Sequence, residues 1–235
     1  VGRVDGRSAL IDLETRGLLS HGEARSVLEK RERFEVELGG RKPSKAAFLR
    51  YIVYELKLEK LRALRSKRKG GSQRGAGDFF CVRKAYALYE RVLARYPGDL
   101  ELWLEYVALA KRHNAPKMVG RLLARALQVH GGDKPELWIR AAQWEAVDLG
   151  NARGARRMLQ RGLRLHKAHP EMWKHAFTFE VQYLDTLSKR RDALSGEAKA
   201  DPNEKSDAFF DGEIPLAIAK AALAAVPPGD AQALL

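Results

Sequence analysis

The chain has 235 residues, of which 43 are lysine or arginine and 30 are aspartate or glutamate, so its formal net charge at pH 7 is +13. Its hydrophobic content of 45% is enough to fill a core, which excludes wholesale disorder. The cation excess favours polyanions as neighbours, nucleic acid first, and no apolar run reaches the length of a membrane span.

The N-terminal part of the chain is predicted to form three helices. The first covers residues 5–16 and stops at a glycine, which can adopt the left-handed conformation found at helix ends. The second covers residues 20–38, because Ser20 and Glu23 have the spacing of a capping box. The third is long, over residues 46–67, with apolar residues at three- and four-residue spacing.

The segment GGSQRGAG then interrupts this periodicity at residues 70–77. We predict a flexible loop here, within an insertion at residues 69–77. The segment lacks the Lys-Ser/Thr ending with which a phosphate-binding loop holds a nucleotide.

From Asp78 onward the pattern predicts regular pairs of helices. They cover residues 79–96, 100–112, 117–130, 134–149, 152–166 and 170–194. Asp99 is expected to cap the second of them, and Asp133 with Glu136 to form a capping box for the fourth. A polar linker is predicted next, followed by one more helix over residues 212–226. No segment keeps the alternation that a β-strand needs.

A fixed interval of 35 residues separates Trp103, Trp138 and Trp173, and Phe48 heads a fourth, partly matching copy. Each of these residues opens a similar segment, such as LWLEYVALA or LWIRAAQWEA. A period of this size is typical of stacked helix pairs. Chains of that kind are surfaces for holding partners, and they seldom carry catalytic groups.

Within each copy a glutamate follows the aromatic residue by seven positions, except after Trp103, where Ala110 takes its place. Seven residues are about two helical turns, so both side chains lie on one face. We expect the aromatic ring to pack between paired helices and the glutamate to reach a neighbouring arginine or a helix terminus. The predicted repeat-core residues are Phe48, Glu55, Trp103, Trp138, Glu145, Trp173 and Glu180.

The second helices of the copies share a tract in which Arg91, Arg125 and Arg161 occupy equivalent positions. Small residues, Ala126 and Gly162, follow two of these arginines and would let two helices approach closely. The repeat position of Arg161 predicts a structural pairing.

These features resemble the HAT repeat, half a TPR, which is found mostly in RNA-processing scaffolds. The stretches LETRGLLSHGEARSVLEKRERFEVEL (residues 13–38) and FLRYIVYELKLEKLRALRSKR (residues 48–68) also resemble the start of one family. That family is the HAT-repeat subunit of the UtpB subcomplex of the small-subunit processome, the U3 snoRNA-associated protein 6 family. The resemblance covers about residues 9–223.

The resemblance implies an all-α solenoid of antiparallel HAT helix pairs. Its parts would be an N-terminal helical segment (1–43), the solenoid (44–194), a linker (195–211) and a further helix within 212–235. Family members continue with more HAT repeats, so we expect this chain to be an N-terminal portion of a longer protein.

The resemblance also implies a function. We expect a non-catalytic nucleolar scaffold in ribosome biogenesis that holds WD-repeat subunits of UtpB during 18S pre-rRNA processing, with snoRNA and pre-rRNA nearby. No cofactor, small-molecule substrate or membrane is implied. Two alternatives are a HAT scaffold of pre-mRNA splicing or cleavage, against which the leading segment argues, and a direct RNA-binding module using the basic helix 152–167.

Two basic segments are candidate sites for nucleic acid or an acidic partner, because cations beside phosphates release counterions on binding. The alternative for each is a solvated helix face or end, where cations are favoured near the C-terminus. No aromatic residues alternate with these cations, so base stacking is not implied. The candidate residues are Arg62, Arg65, Lys67, Arg68 and Lys69 in the first segment and Arg153, Arg156, Arg157, Arg164 and Lys167 in the second.

If the second segment were the main RNA site, glutamate at Arg156, Arg157 and Arg164 would abolish RNA binding without unfolding the chain. Catalytic chemistry is not indicated anywhere. His166 and His169 are three residues apart, but no cysteine or acid completes a metal site around them. The single cysteine, Cys81, excludes an internal disulfide framework and is expected to be a small buried side chain.

Overall fold

The computed structural model describes residues 6–71, 75, 77–194 and 212–227. In this described part all regular structure is helical. The chain divides into two compact units, Val1–Leu109 and Ala110–Leu235, and α5 contains the boundary. The helices are α1 (Gly6–Thr15), α2 (His21–Gly39), α3 (Lys45–Arg68), α4 (Phe80–Arg95), α5 (Leu100–Arg112), α6 (Pro116–His130), α7 (Pro135–Gln143), α8 (Ala152–Leu165), α9 (Pro170–Leu194) and α10 (Glu213–Ala225).

In α2, α3 and α5 a polar side chain caps the start of the helix. The capping box at the start of α2 is confirmed: Ser20 Oγ accepts from the Glu23 backbone N–H at 3.2 Å, and Glu23 Oε2 accepts from the Ser20 N–H at 2.8 Å. Ser44 caps α3 by accepting from the Ala47 N–H. Asp99 caps α5, as predicted, by accepting from the Leu102 N–H at 3.4 Å.

The prediction for the helix at 134–149 was wrong in two respects. Lys134, not Asp133, is the N-cap of α7 and makes no side-chain hydrogen bond. Pro135 follows it, and a proline in the first turn has no N–H that needs a cap. The α-helix then ends at Gln143 and continues as a π-helical turn, Trp144–Asp148.

Two predicted segments lie largely or wholly outside the described residues. The proposed linker at 195–211 is one of them. The other is the glycine-rich insertion, of which only residues 69–71, 75 and 77 are described. The backbone at Gly70 and Gly71 has positive φ, of 78° and 73°, a conformation that glycine adopts without a steric cost.

The core of the first unit joins α1, α2, α3 and the start of α4. Cys81 lies inside it, fully buried as predicted, and burial raises the pKa of its thiol to about 12, so the thiolate is not accessible at neutral pH. The buried cluster contains Leu10, Leu13, Leu18, Leu19, Val27, Leu58 and Cys81.

In the second unit α7 packs against α6, α8 and α9, and α9 packs against α8 and α10. The largest side chain at the centre of this packing is Trp138, which is 8% exposed. The buried cluster contains Trp138, Ile139, Ala142, Ala155, Leu159, Met172 and Ala176.

Gly162 lets α8 lie close to α7 and α9. A Cβ at this position would lie 2.8 Å from Trp138 Cβ and would also clash with Met172. We expect Gly162→Ala to lower the free energy of unfolding by about 1 kcal/mol, because overpacking of about 1–3 kcal/mol outweighs the better helix propensity of alanine. Denaturant unfolding followed by circular dichroism measures this change.

Gly120 in α6 is the matched control for this substitution, because a Cβ there would meet nothing within 4 Å. Gly120→Ala is therefore expected to raise the free energy of unfolding by about 0.5–1 kcal/mol. Equal shifts of the same sign at both glycines would contradict the packing argument.

Candidate functional site: repeat-core ion pairs and basic surfaces

Each repeat tryptophan donates its indole N–H to the turn that precedes its own helix. The acceptor is the Pro97 carbonyl for Trp103, at 2.9 Å, and the Lys167 carbonyl for Trp173, at 2.8 Å. Trp138 donates likewise to the Gly131 carbonyl at 2.9 Å. A buried indole N–H needs such a partner. These bonds fix the angle at which each turn enters its helix.

A buried ion pair joins α2 to α3 in the first unit. Arg31 donates from Nε and Nη2 to the two oxygens of Glu55, both at 2.7 Å. The two side chains are 9% and 0% exposed, and the guanidinium lies over the Phe80 ring with its carbon 4.7 Å from the ring centre. This two-bond geometry is the strongest form of a protein ion pair.

The second unit contains the same arrangement between α8 and α9. Arg156 donates to both oxygens of Glu180 at 2.6 Å, and the glutamate side chain is 4% exposed. In both pairs the arginine precedes the glutamate by 24 residues. Arg31 and Glu55 each lie 125 residues before Arg156 and Glu180 in the sequence, so the two pairs are repeat equivalents.

The copy that begins at Trp138 uses its glutamate differently. Glu145 accepts from Asn151 Nδ2 at 2.7 Å, and Asn151 Oδ1 in turn accepts from the Gly154 N–H at the start of α8. Arg121, the residue 24 positions earlier, donates instead to a backbone carbonyl of its own helix. Glu145 thus stabilises a helix terminus through Asn151.

In the Trp103 copy both ion-pair positions carry uncharged residues. Ala110 replaces the glutamate, and Tyr86 stands 24 residues earlier, where the other copies have arginine. Tyr86 packs its ring against Tyr106, with centroids 5.4 Å apart. The loss of the carboxylate in this copy is therefore matched by the loss of the cation.

The first predicted basic segment is largely engaged in internal contacts. Arg62 donates to Glu59 and to Asp78, at 2.7 Å in each case. Arg65 donates to both oxygens of Glu23 at 2.7 Å, and the Lys69 ammonium donates to a backbone carbonyl at 3.3 Å. These three side chains are thus bonded within the first unit.

Lys67 and Arg68, the remaining predicted residues of this segment, are exposed at the end of α3. Asp78 is a structural partner of Arg16 and Arg62 that the sequence pattern does not predict. Its carboxylate accepts from Arg16, from Arg62 and from the Gly75 N–H, so it joins α1 and α3 to the segment before α4.

Because Glu23 is paired with Arg65, we expect the stability of the fold to depend on pH. The Arg65 hydrogen bonds, and then the backbone bond from Ser20, lower the pKa of this carboxyl from 4.5 to about 2. A lowered folded-state pKa stabilises the fold above the unfolded pKa and loses that contribution as pH falls from 4.5 to about 2.

The matching variant is Glu23→Gln. We expect the wild type to be more stable than this variant near neutral pH, and the difference to shrink steadily between pH 4.5 and about 2. Urea midpoints measured across this window test the prediction. Parallel pH profiles for the two proteins would contradict it.

The second predicted basic segment forms the outer face of α8. Arg153, Arg157 and Arg164 are exposed there, and Lys167 is exposed in the turn after the helix. Arg156 is not part of this surface, because it pairs with buried Glu180. Glutamate at Arg156 would place two carboxylates together, so we now expect this change to destabilise the fold instead of leaving it intact.

Arg161 also departs from expectation. Its repeat position predicted a structural pairing, but the structure gives that role to Arg156 and leaves Arg161 exposed. No ion pair involving Arg161 is found among the described residues. Arg161 therefore belongs with the exposed cations of α8.

No group of three or more His, Cys, Asp or Glu side chains in the described part of the chain could hold a metal ion. Among the described helices, none combines the length and the apolar character needed to cross a membrane.

These features define an all-helical protein with an internal sequence repeat, whose buried ionisable groups serve packing. The model of the family described as U3 small nucleolar RNA-associated protein 6 matches residues 7–91. The human U3 small nucleolar RNA-associated protein 6 homolog is 30% identical over 207 residues, which are 87% of this chain and 34% of the relative.

The U3 small nucleolar RNA-associated protein 6 of Schizosaccharomyces pombe is 34% identical over 188 residues, covering 80% of this chain and 38% of the relative. The chain thus spans about a third of the length of the curated relatives it matches. The family model thus matches the N-terminal part of the chain, and the similarity to these relatives extends over most of its length.

Proposed function

We propose that the chain is a non-catalytic HAT-repeat scaffold in ribosome biogenesis, acting in the nucleolus. It would hold protein partners within the small-subunit processome during 18S pre-rRNA processing. The partners we propose are the WD-repeat subunits of the UtpB subcomplex, with the snoRNA and pre-rRNA nearby.

One observation carries this proposal: the indole hydrogen bond recurs in three copies of the repeat, and the arginine–glutamate pair recurs in two. The indole bonds of the three tryptophans and the two arginine–glutamate pairs all fix one helix against another or against its preceding turn. The charged groups of the two arginine–glutamate pairs bind each other inside the fold. The outer faces of the helices therefore remain for binding partners. The names of the relatives describe association with a small nucleolar RNA. They support our choice of the small-subunit processome as the particle in which this binding would occur.

The test is purification of the tagged protein that carries this chain from its own cells, with and without nuclease. Mass spectrometry then identifies what remains bound, and untagged cells provide the control. We expect WD-repeat proteins to survive nuclease treatment. A purification that retains no protein partner after nuclease would contradict the scaffold.

A further inference from the structure

We propose that four exposed arginines of α8 bind the sugar–phosphate backbone of single-stranded RNA. They are Arg153, Arg157, Arg161 and Arg164, which we call the α8 ridge. The proposal rests on the proposed function for the source of that RNA, but the binding itself is a property of this helix.

The four side chains form one stripe along the helix. Their spacing of four, four and three residues places them within about 80° of the helix circumference, at 3.6 residues per turn, and along about 16 Å of its axis. All four are exposed. A line of cations of this length suits a linear polyanion better than a single bound ion.

Among the residues that the structure describes, no carboxylate neutralises the α8 ridge. The sequence contains no acid between Asp148 and Glu171. Each of these two acids has its own partner, since Asp148 pairs with Lys111 at 3.2 Å and Glu171 with Lys174 at 3.6 Å. Within the described part of the chain, the four ridge arginines form no ion pair.

Internal bonds hold the helix that carries the α8 ridge. Its start is capped by Asn151, and its inner side is fixed by the Arg156–Glu180 pair. At its end, His166 Nε2 lies 2.8 Å from the Gly131 carbonyl oxygen. The exposed arginines therefore project from a rigid helix, so binding does not have to order the backbone.

The chemistry of the ridge favours RNA over an acidic peptide. Guanidinium groups match phosphate geometry with two parallel hydrogen bonds. A bound peptide normally also needs buried apolar or aromatic anchors, and the stripe itself contains no aromatic side chain. The same lack of aromatics means that bases are not stacked, so we expect binding without sequence preference.

The experiment measures binding of a fluorescent, unstructured RNA of about twenty nucleotides to the purified chain by anisotropy, at salt concentrations between about 50 and 200 mM. One variant replaces the four ridge arginines by glutamine. The control variant removes the same charge from exposed positions of the first unit, namely Arg33, Arg41, Lys42 and Lys60. Circular dichroism melting verifies that both variants are folded.

For the wild type we expect log–log salt dependence with a slope of about −3, as four phosphate contacts to a single strand predict. The ridge variant should bind at least about tenfold more weakly with a slope near zero, whereas the control should stay within about twofold of wild type. If the ridge variant does not fold, the pairs Arg153→Gln with Arg157→Gln and Arg161→Gln with Arg164→Gln should each lose part of the affinity.

Three results would overturn the proposal. One is a wild-type chain that does not bind the RNA, and another is an equal loss of affinity in the ridge and control variants. The third is competition by polyglutamate as strong as that by RNA of equal charge, which would identify an acidic peptide surface. None of these results bears on whether protein partners survive nuclease, so failure of the RNA site and failure of the scaffold are distinguishable.

Discussion

Replacing Glu55 by glutamine is expected to lower the free energy of unfolding of the first unit by about 3–5 kcal/mol. The carboxylate is completely buried and accepts two bonds from Arg31, which is itself 9% exposed. In the variant the guanidinium remains buried without a counter-charge, and that uncompensated charge is the source of the large loss. Urea unfolding followed by far-UV circular dichroism measures the change.

The pair formed by Arg25 and Glu29 is the matched control. Its side chains are 77% and 54% exposed, so Glu29→Gln should change the free energy of unfolding by less than about 0.5 kcal/mol. Replacing Arg31 and Glu55 together by apolar residues of similar volume should restore most of the stability lost in Glu55→Gln. A cost below about 1 kcal/mol for Glu55→Gln would show that the pair is not buried as described.

Truncating Trp138 to alanine is expected to destabilise the second unit by about 3–5 kcal/mol. The ring packs at the centre of the cluster that includes Ala155, Leu159 and Met172, and its removal leaves a cavity. The variant also loses the indole bond to the Gly131 carbonyl. Denaturant unfolding of the variant, followed by circular dichroism, tests this expectation.

Comparison with Trp144 distinguishes the contribution of the indole hydrogen bond to stability from the contribution of packing. Trp144 is also buried, at 6% exposure, but its indole N–H has no hydrogen-bond partner in the described structure. Trp138→Phe should therefore cost about 1 kcal/mol more than Trp144→Phe, which is the net contribution of a buried hydrogen bond. Equal costs would mean that the indole bond does not contribute.

Much of the fold could be predicted because helix starts and periodicity are local properties. The predicted bounds of the helices at 100–112 and 170–194 agree with α5 and α9 to the residue, and the cap at Ser20 needed only two residues in the right register. The π-helical turn could not be predicted in this way. Its first residue, Trp144, has the centre of its ring 4.4 Å from the Lys111 ammonium, a contact between residues distant in sequence that no local pattern shows.

Not every apolar residue at three- and four-residue spacing is buried in the structure. Leu28 and Leu61 follow the pattern of the buried face, yet they are 38% and 37% exposed. The pattern identifies one face of a helix but not how far the neighbouring helix covers it. Burial of those positions is decided by packing between helices.

The repeat glutamates could be located from the sequence, but their partners could not. Arg31 and Arg156 lie on the preceding helix, 24 residues before Glu55 and Glu180, and nothing local distinguishes them from exposed arginines. The offset of 125 residues that relates Glu55 to Glu180 also relates Arg31 to Arg156, but it does not show which arginine contacts which glutamate. The partner of Arg62 could not be located from the sequence either, because Asp78 contacts it only in the folded chain.

In the proposed scaffold the repeats hold protein partners directly, and RNA contact is secondary. The most direct measurement compares the proteins retained after nuclease treatment by the wild type and by the variant with glutamine at all four α8 ridge positions. We predict that both retain the same WD-repeat proteins in similar amounts. Loss of those proteins from the ridge variant alone would contradict the claim, because the arginine surface would then be the principal attachment.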